Sequence, residues 1–357
     1  MKIYVTRELP GAEFERLKEE YSVVVNPSSL PPTEDELLAA VRDKDGVITL
    51  LTDRMTKKII DGSTLKVIAN CAAGYDNIDI THCTERGIMV TNTPDVLTNA
   101  TAELTFALIL SVARMIVQAD RYTRGGNFNA WSPTLFVGME LHDSVLGIIG
   151  AGKIGTEVGI RAKAFGMHIL YTDLLANPRL NALGARRVGL NELLGLADII
   201  TLHIPLTSST HRLIGAAEFN LMKPTCFVIN VARGKVIDEH ALVVALKTTK
   251  IAGAGLDVYE NEPIVSDELK ELDNVVMLPH IGSATLTARI RMANLAIKNL
   301  CTGLEGGKPP NLVNPIGNTA VSIGNNAVGS ENTAVGSEST AVGSESTAVG
   351  DESKGVR

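Results

Sequence analysis

The sequence predicts an α/β protein of two doubly wound domains with parallel sheets, followed by a low-complexity C-terminal repeat tail. Three observations predict this. Short apolar runs alternate with segments of helical spacing, as expected for a parallel sheet with helices on both faces. The alternation occurs twice, once on each side of a long apolar helical stretch, and 357 residues give room for two domains of ordinary size. From Ile316 the composition changes abruptly to a glycine- and serine-rich repeat.

The first run starts with a strand at Lys2–Thr6, a helix at Gly11–Tyr21 with Phe14 and Leu17 on one face, and a strand at Ser22–Val25. Thr33–Val41 reads as a helix capped by Thr33, with Glu36 at capping-box spacing. Gly46–Leu50 and Lys66–Asn70 are apolar strands, and a helix from about Ala100 to Val117 is expected to cross between domains. In the second run, Val145–Ile149, His168–Thr172, Ala197–His203, Phe227–Asn230, Gly253–Asp257 and Val275–Leu278 read as strands, and Ile154–Phe165 as a helix. A last helix, Leu286 to Thr302, is placed to return the chain to its first domain. The expected division is a discontinuous domain of residues 1–99 and 286–315, a domain of residues 100–285, and a tail of residues 316–357.

In the tail, Thr-Ala-Val-Gly-Ser-Glu-Ser recurs every seven residues, as at Thr333, Thr340 and Thr347. It lacks aromatic residues and an apolar seam, so it cannot bury enough surface to offset its ordering entropy and reads as disordered. Its repeats resemble the Ala-Val-Gly-rich head repeats of trimeric surface adhesins, and no catalytic role attaches to them. A net charge of -7 gives no nucleic-acid footprint. Four cysteines without a CxxC pair argue against a metal site and fit a reducing compartment. Apolar runs such as Phe106–Val112 are too short to span a bilayer, and no leader reads at the N-terminus, so the expectation is a soluble cytoplasmic protein.

Chemistry begins at Gly150-Ala151-Gly152-Lys153-Ile154-Gly155, which follows a predicted strand and opens a predicted helix. In that context Gly150 allows the tight turn, Gly152 lets backbone approach a pyrophosphate, and Gly155 permits close helix-strand packing. The helix N-terminus offers unpaired N–H groups to phosphate. Asp173, about 20 residues on at the end of the next strand, suits ribose hydroxyls and would repel a 2′-phosphate, so NAD is expected over NADP. Arg179 lies close enough in sequence to soften that preference. Together these features read as a Rossmann-like dinucleotide site.

Three further segments follow apolar strands: Ile229–Gly234, Leu256–Pro263 and Leu278–Ser283. The carboxyl ends of strands in a doubly wound sheet line the ligand crevice, so Arg233, Glu262 and His280 are expected to converge there. Hydride transfer at a hydroxyl or carbonyl carbon needs a partner for the oxygen-bound proton, and histidine suits that near neutral pH. A neighbouring carboxylate orients the ring, and an arginine presents a fork of donors to a substrate carboxylate.

With Ala72-Ala73-Gly74-Tyr75-Asp76-Asn77-Ile78-Asp79, Asn92–Thr98 and Thr101–Leu104, these motifs resemble the D-isomer-specific 2-hydroxyacid dehydrogenases, and most closely the glyoxylate/hydroxypyruvate reductases among them, over about residues 1–314. The resemblance implies that Arg233 binds and polarises a small 2-oxo acid, that His280 is the proton donor with Glu262 as its partner, and that backbone N–H groups around Ala73 and Gly74 hold the substrate carboxylate. It implies cofactor contacts at Thr101, Lys153, Ile154, Asp173, Pro205, Thr210, Val231, Ala232, Arg233, Asp257, His280 and Gly282. It also implies a homodimer in which Trp131 reaches the neighbouring subunit. The chain departs from the commoner pattern with Ala-Gly-Lys after Gly150, and with an alanine in Cys71-Ala72-Ala73-Gly74 where a valine is frequent. Other readings are a D-3-phosphoglycerate or D-lactate dehydrogenase, or an NAD-sensing corepressor-like binding protein.

Overall fold

A computed structural model describes residues 1–316, so the repeat segment from residue 317 onward, with the disorder expected of it, lies outside the described residues. Strands β1 (Lys2–Val5), β2 (Ser22–Val25), β3 (Gly46–Thr49), β4 (Val67–Asn70) and β5 (Met89–Thr91) form one sheet in the order β2-β1-β3-β4-β5. Strands β6 (Val145–Ile149), β7 (His168–Thr172), β8 (Arg186–Arg187), β9 (Ile199–Leu202), β10 (Phe227–Asn230), β11 (Gly253–Leu256) and β12 (Val275–Met277) form a second, in the order β12-β11-β10-β9-β6-β7-β8. All pairings within both sheets are parallel.

The period of two along each strand sorts the side chains onto two covered faces. In the first sheet Ile3, Val5, Ile48, Val67 and Ala69 pack against Phe14 and Leu17 of helix Ala12–Glu20 and against Met292, Ala296 and Leu300 of helix Leu286–Leu304. Tyr4, Val47, Ile68 and Val90 face the other way, onto Leu37, Val41, Ile59 and Ile60. The second sheet divides likewise: Leu146, Ile148, Ile169 and Tyr171 on one side, Ile149, Leu170, Ile200 and Leu202 on the other.

The capping box at Thr33 forms as the spacing predicts: Glu36 N–H donates to Thr33 Oγ1, and Thr33 N–H donates to Glu36 Oε2. The final helix does return to the first sheet. Beyond it, Val313 N–H donates to the Val90 carbonyl at 2.7 Å, and the buried Asn314 side chain accepts from Val90 N–H at 2.8 Å.

One expectation is corrected. The helix expected from Ala100 to Val117 runs Thr98–Ala113, then breaks at Met115 (φ 53°) and restarts as Ile116–Arg124. The Ala113 carbonyl, which residue 117 would have taken, accepts instead from Met139 N–H at 2.7 Å. A long-range contact ends this helix, so no local glycine or proline announces the break. No single helix among the described residues is long and apolar enough to cross a membrane. The two pieces here would reach that length only together, and they bend by 64°.

The topology places the site. β6 sits in the middle of its sheet, with β7 and β8 on one side and β9 to β12 on the other. Strand order therefore reverses between β6 and β9, and ligands bind outside the carboxyl ends of strands at such a point.

Candidate active site

The glycine loop leaves β6 at this reversal. Gly150 has φ +96°, and a Cβ there would lie 2.7 Å from the His203 carbonyl carbon at the end of β9. A Cβ on Gly155 would lie 2.1 Å from the Gly150 carbonyl oxygen, so the helix Lys153–Ala164 reaches the loop only because residue 155 has no side chain. A Cβ on Gly152 would meet nothing within 4 Å. The N–H groups of Gly152, Lys153 and Ile154 have no acceptor among the described residues. Open space faced by unpaired donors at a helix N-terminus fits a pyrophosphate.

Asp173 is half-buried, and its Oδ2 accepts from Ala151 N–H at 2.7 Å, which ties the loop to β7. Arg179 donates to Glu157 at 2.9 Å instead of meeting Asp173, while Arg187 donates to the backbone carbonyls of Asp173 and Leu174. Asp173 therefore keeps an uncompensated carboxylate beside the loop. Beneath it the His203 ring is buried. Nε2 lies 3.0 Å from Thr201 Oγ1, and Nδ1 has no partner. Burial pushes this imidazole down to about 3, so it is neutral at physiological pH. Gly155→Ala is expected to cost about 1–3 kcal/mol of stability through overpacking and to weaken dinucleotide binding. Thermal unfolding with and without NADH reads both effects, and an unchanged Tm would show that the loop has room to relax.

At the ends of β11 and β12 the structure brings Glu262 and His280 together. Nδ1 of His280 lies 2.7 Å from Glu262 Oε2, and Glu262 Oε1 accepts from Tyr259 N–H at 3.0 Å. His280 Nε2 has no partner among the described residues. His280 has φ 55°, an uncommon conformation for a non-glycine residue. Asp257, 1% exposed, holds it there by accepting from Ile281 N–H and Gly282 N–H, both at 2.7 Å. Burial raises the Asp257 carboxyl above its ordinary value, with the Ile281 N–H, the nearby His280 and the Gly282 N–H pulling the other way. Tyr259 donates to the Leu278 carbonyl at 2.9 Å, and burial pushes its phenol up to about 12.

Arg233 follows β10 and reaches across to the first sheet. Its Nε donates to Asp76 Oδ1 at 2.8 Å, and its Nη1 donates to the Ala232 carbonyl at 2.8 Å. A Cβ on Gly74 would lie 1.7 Å from Nη2, so the guanidinium occupies space that glycine leaves open. The N–H groups of Ala73 and Gly74 donate to nothing among the described residues, while their carbonyls accept from Asn92 and Asn70. Two unpaired N–H groups beside an arginine suit a carboxylate. Arg233, Glu262 and His280 line one cleft of about 790 Å³.

The other predicted positions fall around this centre. Thr101 and Asp257 both lie against Gly282, whose missing Cβ would sit 3.6 Å from Thr101 Oγ1 and 3.2 Å from Asp257 Oδ2. Val231 and Ala232 form the turn after β10, and Ala232 N–H donates to the Asn230 side chain at 3.0 Å. Thr210 closes the turn at Pro205 by donating to its carbonyl at 2.7 Å. Lys153 pairs with Asp95 of the other sheet's loops.

Sequence reasoning missed the polar residues that hold these loops. Asn70 and Asn230 end β4 and β10, and both are buried. Asn70 Nδ2 donates to the Gly74 carbonyl and Asn230 Nδ2 to the Arg233 carbonyl, each at 2.9 Å. Asp76 stands in the sequence only within a motif, and the structure makes it the partner of Arg233. An asparagine closing an apolar strand was the available signal.

The family "D-isomer specific 2-hydroxyacid dehydrogenase, NAD binding domain" matches residues 106–282. A glyoxylate reductase of Thermococcus gammatolerans is 46% identical over 319 residues, covering 88% of this chain and 96% of that protein. The crystal structure of the TT0316 protein from Thermus thermophilus superposes with a TM-score of 0.83 at 44% identity, covering 88% of this chain and all of that one (100%). An NADPH-dependent glyoxylate/hydroxypyruvate reductase from Sinorhizobium meliloti, solved with NADP and malonate, has a TM-score of 0.75 at 32% identity over 87% of this chain and 96% of its own. These likenesses show that the chain belongs to the D-isomer-specific 2-hydroxyacid dehydrogenases, a family of NAD(P)-dependent oxidoreductases.

Proposed function

We propose that this chain reduces a small 2-oxo acid, glyoxylate or hydroxypyruvate, to the D-2-hydroxy acid with NADH. The observation that carries the reading is the pairing of His280 with Glu262 at 2.7 Å in the cleft that also holds Arg233. Arg233 and the N–H groups of Ala73 and Gly74 bind the substrate carboxylate, and Arg233 polarises the C2 carbonyl. A bound reduced nicotinamide supplies the hydride that forms the new C–H bond at C2. As the carbonyl electron pair moves onto oxygen, His280 Nε2 gives that oxygen a proton, and the ring is reprotonated from solvent. Glu262 holds the ring by Nδ1, so that Nε2 faces the substrate. Gly150, Gly152, Lys153, Ile154, Gly155 and Asp173 hold the dinucleotide, with Thr101, Pro205, Thr210, Val231, Ala232, Asp257 and Gly282 around it. Parallel assays of a 2-oxo acid panel with NADH and NADPH test the reading, and it fails if no 2-oxo acid is turned over with either.

NAD is proposed over NADP because Asp173 has no cation on its carboxylate. Asp173→Asn keeps an acceptor for Ala151 N–H and removes the charge. It is expected to lower the NADH-to-NADPH ratio of kcat/KM by about five- to tenfold, the scale of one screened charge repulsion at short range. An unchanged ratio would show that another group selects the cofactor.

The domain division proposed is residues 1–99 with 286–315, and residues 100–285. A homodimer is proposed through the segment between helix Ile116–Arg124 and β6, where Phe128, Trp131 and Val137 are 59%, 79% and 70% exposed. A cytoplasmic location is proposed from the four free cysteines, three of them buried.

A further inference from the structure

The N–H groups of Ala73 and Gly74 belong to peptide units whose carbonyls are held from outside their own loop. A trans peptide unit points its N–H and its C=O in opposite directions. Gly74 N–H shares its unit with the Ala73 carbonyl, which accepts from Asn92 Nδ2 at 2.7 Å. Ala73 N–H shares its unit with the Ala72 carbonyl, which accepts from Thr93 N–H at 2.9 Å. One dipeptide just after β5, Asn92-Thr93, therefore sets the direction of both donors. Ala73 and Gly74 are only half-buried, so water could satisfy the Ala73 carbonyl in place of an amide. What the Asn92 contact adds is direction: the peptide cannot turn over, and its N–H stays free for an anion.

The dipeptide is in turn held by the far end of the described chain. Helix Leu286–Leu304 presents Asn299, which is 0% exposed. Its Nδ2 donates to the Asn92 carbonyl at 3.0 Å, and its Oδ1 accepts from Asn311 N–H at 3.1 Å. Asn92 N–H donates to the Asn311 carbonyl at 3.3 Å. The segment around Asn311 is fixed independently. Leu312 pairs with Thr91, and the Asn314 side chain accepts from Val90 N–H at 2.8 Å and donates to the Ile88 carbonyl at 2.9 Å. A buried amide bonded through both ends is costly to displace, so Asn92 has a rigid base.

We infer that Asn92 is a positioning residue for the substrate carboxylate, acting through the Ala73–Gly74 peptide and braced by Asn299 and Asn311. The segment that follows the last helix thereby contributes to substrate affinity from outside the cleft. The inference rests on the 2-oxo acid reading above, in which Ala73 and Gly74 N–H bind the carboxylate.

The test is steady-state kinetics with glyoxylate and NADH on the parent and on Asn92→Asp, Asn92→Gln and Asn299→Asp. Asn92→Asp is nearly isosteric and sets an acceptor against the Ala73 carbonyl, which drives the peptide to turn Gly74 N–H away from the substrate. KM for glyoxylate should rise about ten- to a hundredfold, the range for losing one hydrogen bond to a charged group. In the same variant kcat should stay within about threefold of the parent, because the carboxylate is held equally in ground and transition states. KM for NADH should not change, which also reports a folded enzyme. Asn92→Gln keeps a donor and should recover part of the loss. Asn299→Asp should raise KM for glyoxylate by a smaller factor. If Asn92→Asp does not fold, Asn92→Ser removes the donor without adding a charge and is read by the same criteria. A purely structural role would lower kcat and raise both KM values together. That pattern, or an unchanged KM for glyoxylate, overturns the inference and leaves the reductase reading standing. A parent enzyme that turns over no 2-oxo acid overturns both.

Discussion

Replacing His280 with alanine is expected to lower kcat for glyoxylate by about 10²–10⁴-fold, the range for losing a positioned general acid. NADH binding, read by fluorescence titration, should change little, because the ring's only partner among the described residues is Glu262 and the loop is held separately by Asp257. That separation makes the variant informative: a fall in kcat with intact NADH binding isolates proton transfer. Glu262→Gln keeps a group able to hydrogen-bond Nδ1 and removes the charge. It should give a smaller loss than His280→Ala and a shifted pH profile of kcat. A His280→Ala enzyme whose kcat stays within about tenfold of the parent would remove histidine from the proton-donor role.

Arg233→Ala is expected to cost about 10²–10³-fold in kcat/KM, the scale of about 3–4 kcal/mol for truncating one partner of a desolvated charge pair. Its side chain is 25% exposed and anchored through Nε to Asp76, so the guanidinium is positioned before substrate arrives. Arg233→Lys should recover little of the loss, because an ammonium has no planar fork for a carboxylate. Gly74→Ala tests the same placement from the opposite wall. A methyl group 1.7 Å from the present Nη2 position must displace the guanidinium, so KM should rise although Arg233 is intact. Steady-state kinetics on all three variants check the proposal. If Gly74→Ala behaves as the parent does, the guanidinium is not confined by that loop.

Ten of the twelve strands were legible to within one or two residues at their ends, because buried parallel strands read as continuous apolar runs, whereas β5 and the two-residue, exposed β8 were not. The short helices between β9 and β12, such as Ala216–Leu221 and Glu239–Lys247, are not legible in the sequence. They are brief, and their apolar faces make sense only against a sheet whose position is known. The break at Met115 was invisible for a related reason, since its cause is Met139 N–H taking the Ala113 carbonyl from 26 positions away.

The sequence by itself marked the glycine loop, the acid after it, and Arg233, Glu262 and His280 as the candidate site. Each is set by local requirements: glycine where a Cβ would collide, a carboxylate at a strand end, chemistry-bearing side chains after apolar strands. Only the tertiary structure decided that Glu262 and His280 share a 2.7 Å contact. It alone brought Arg233 of one sheet to Gly74 and Asp76 of the other, and tied Asn92 to the Ala73 carbonyl. Those juxtapositions depend on strand order and on the packing of one sheet's loops against the other's, and residues 157 positions apart in the chain, such as Arg233 and Asp76, carry no local pattern that records them.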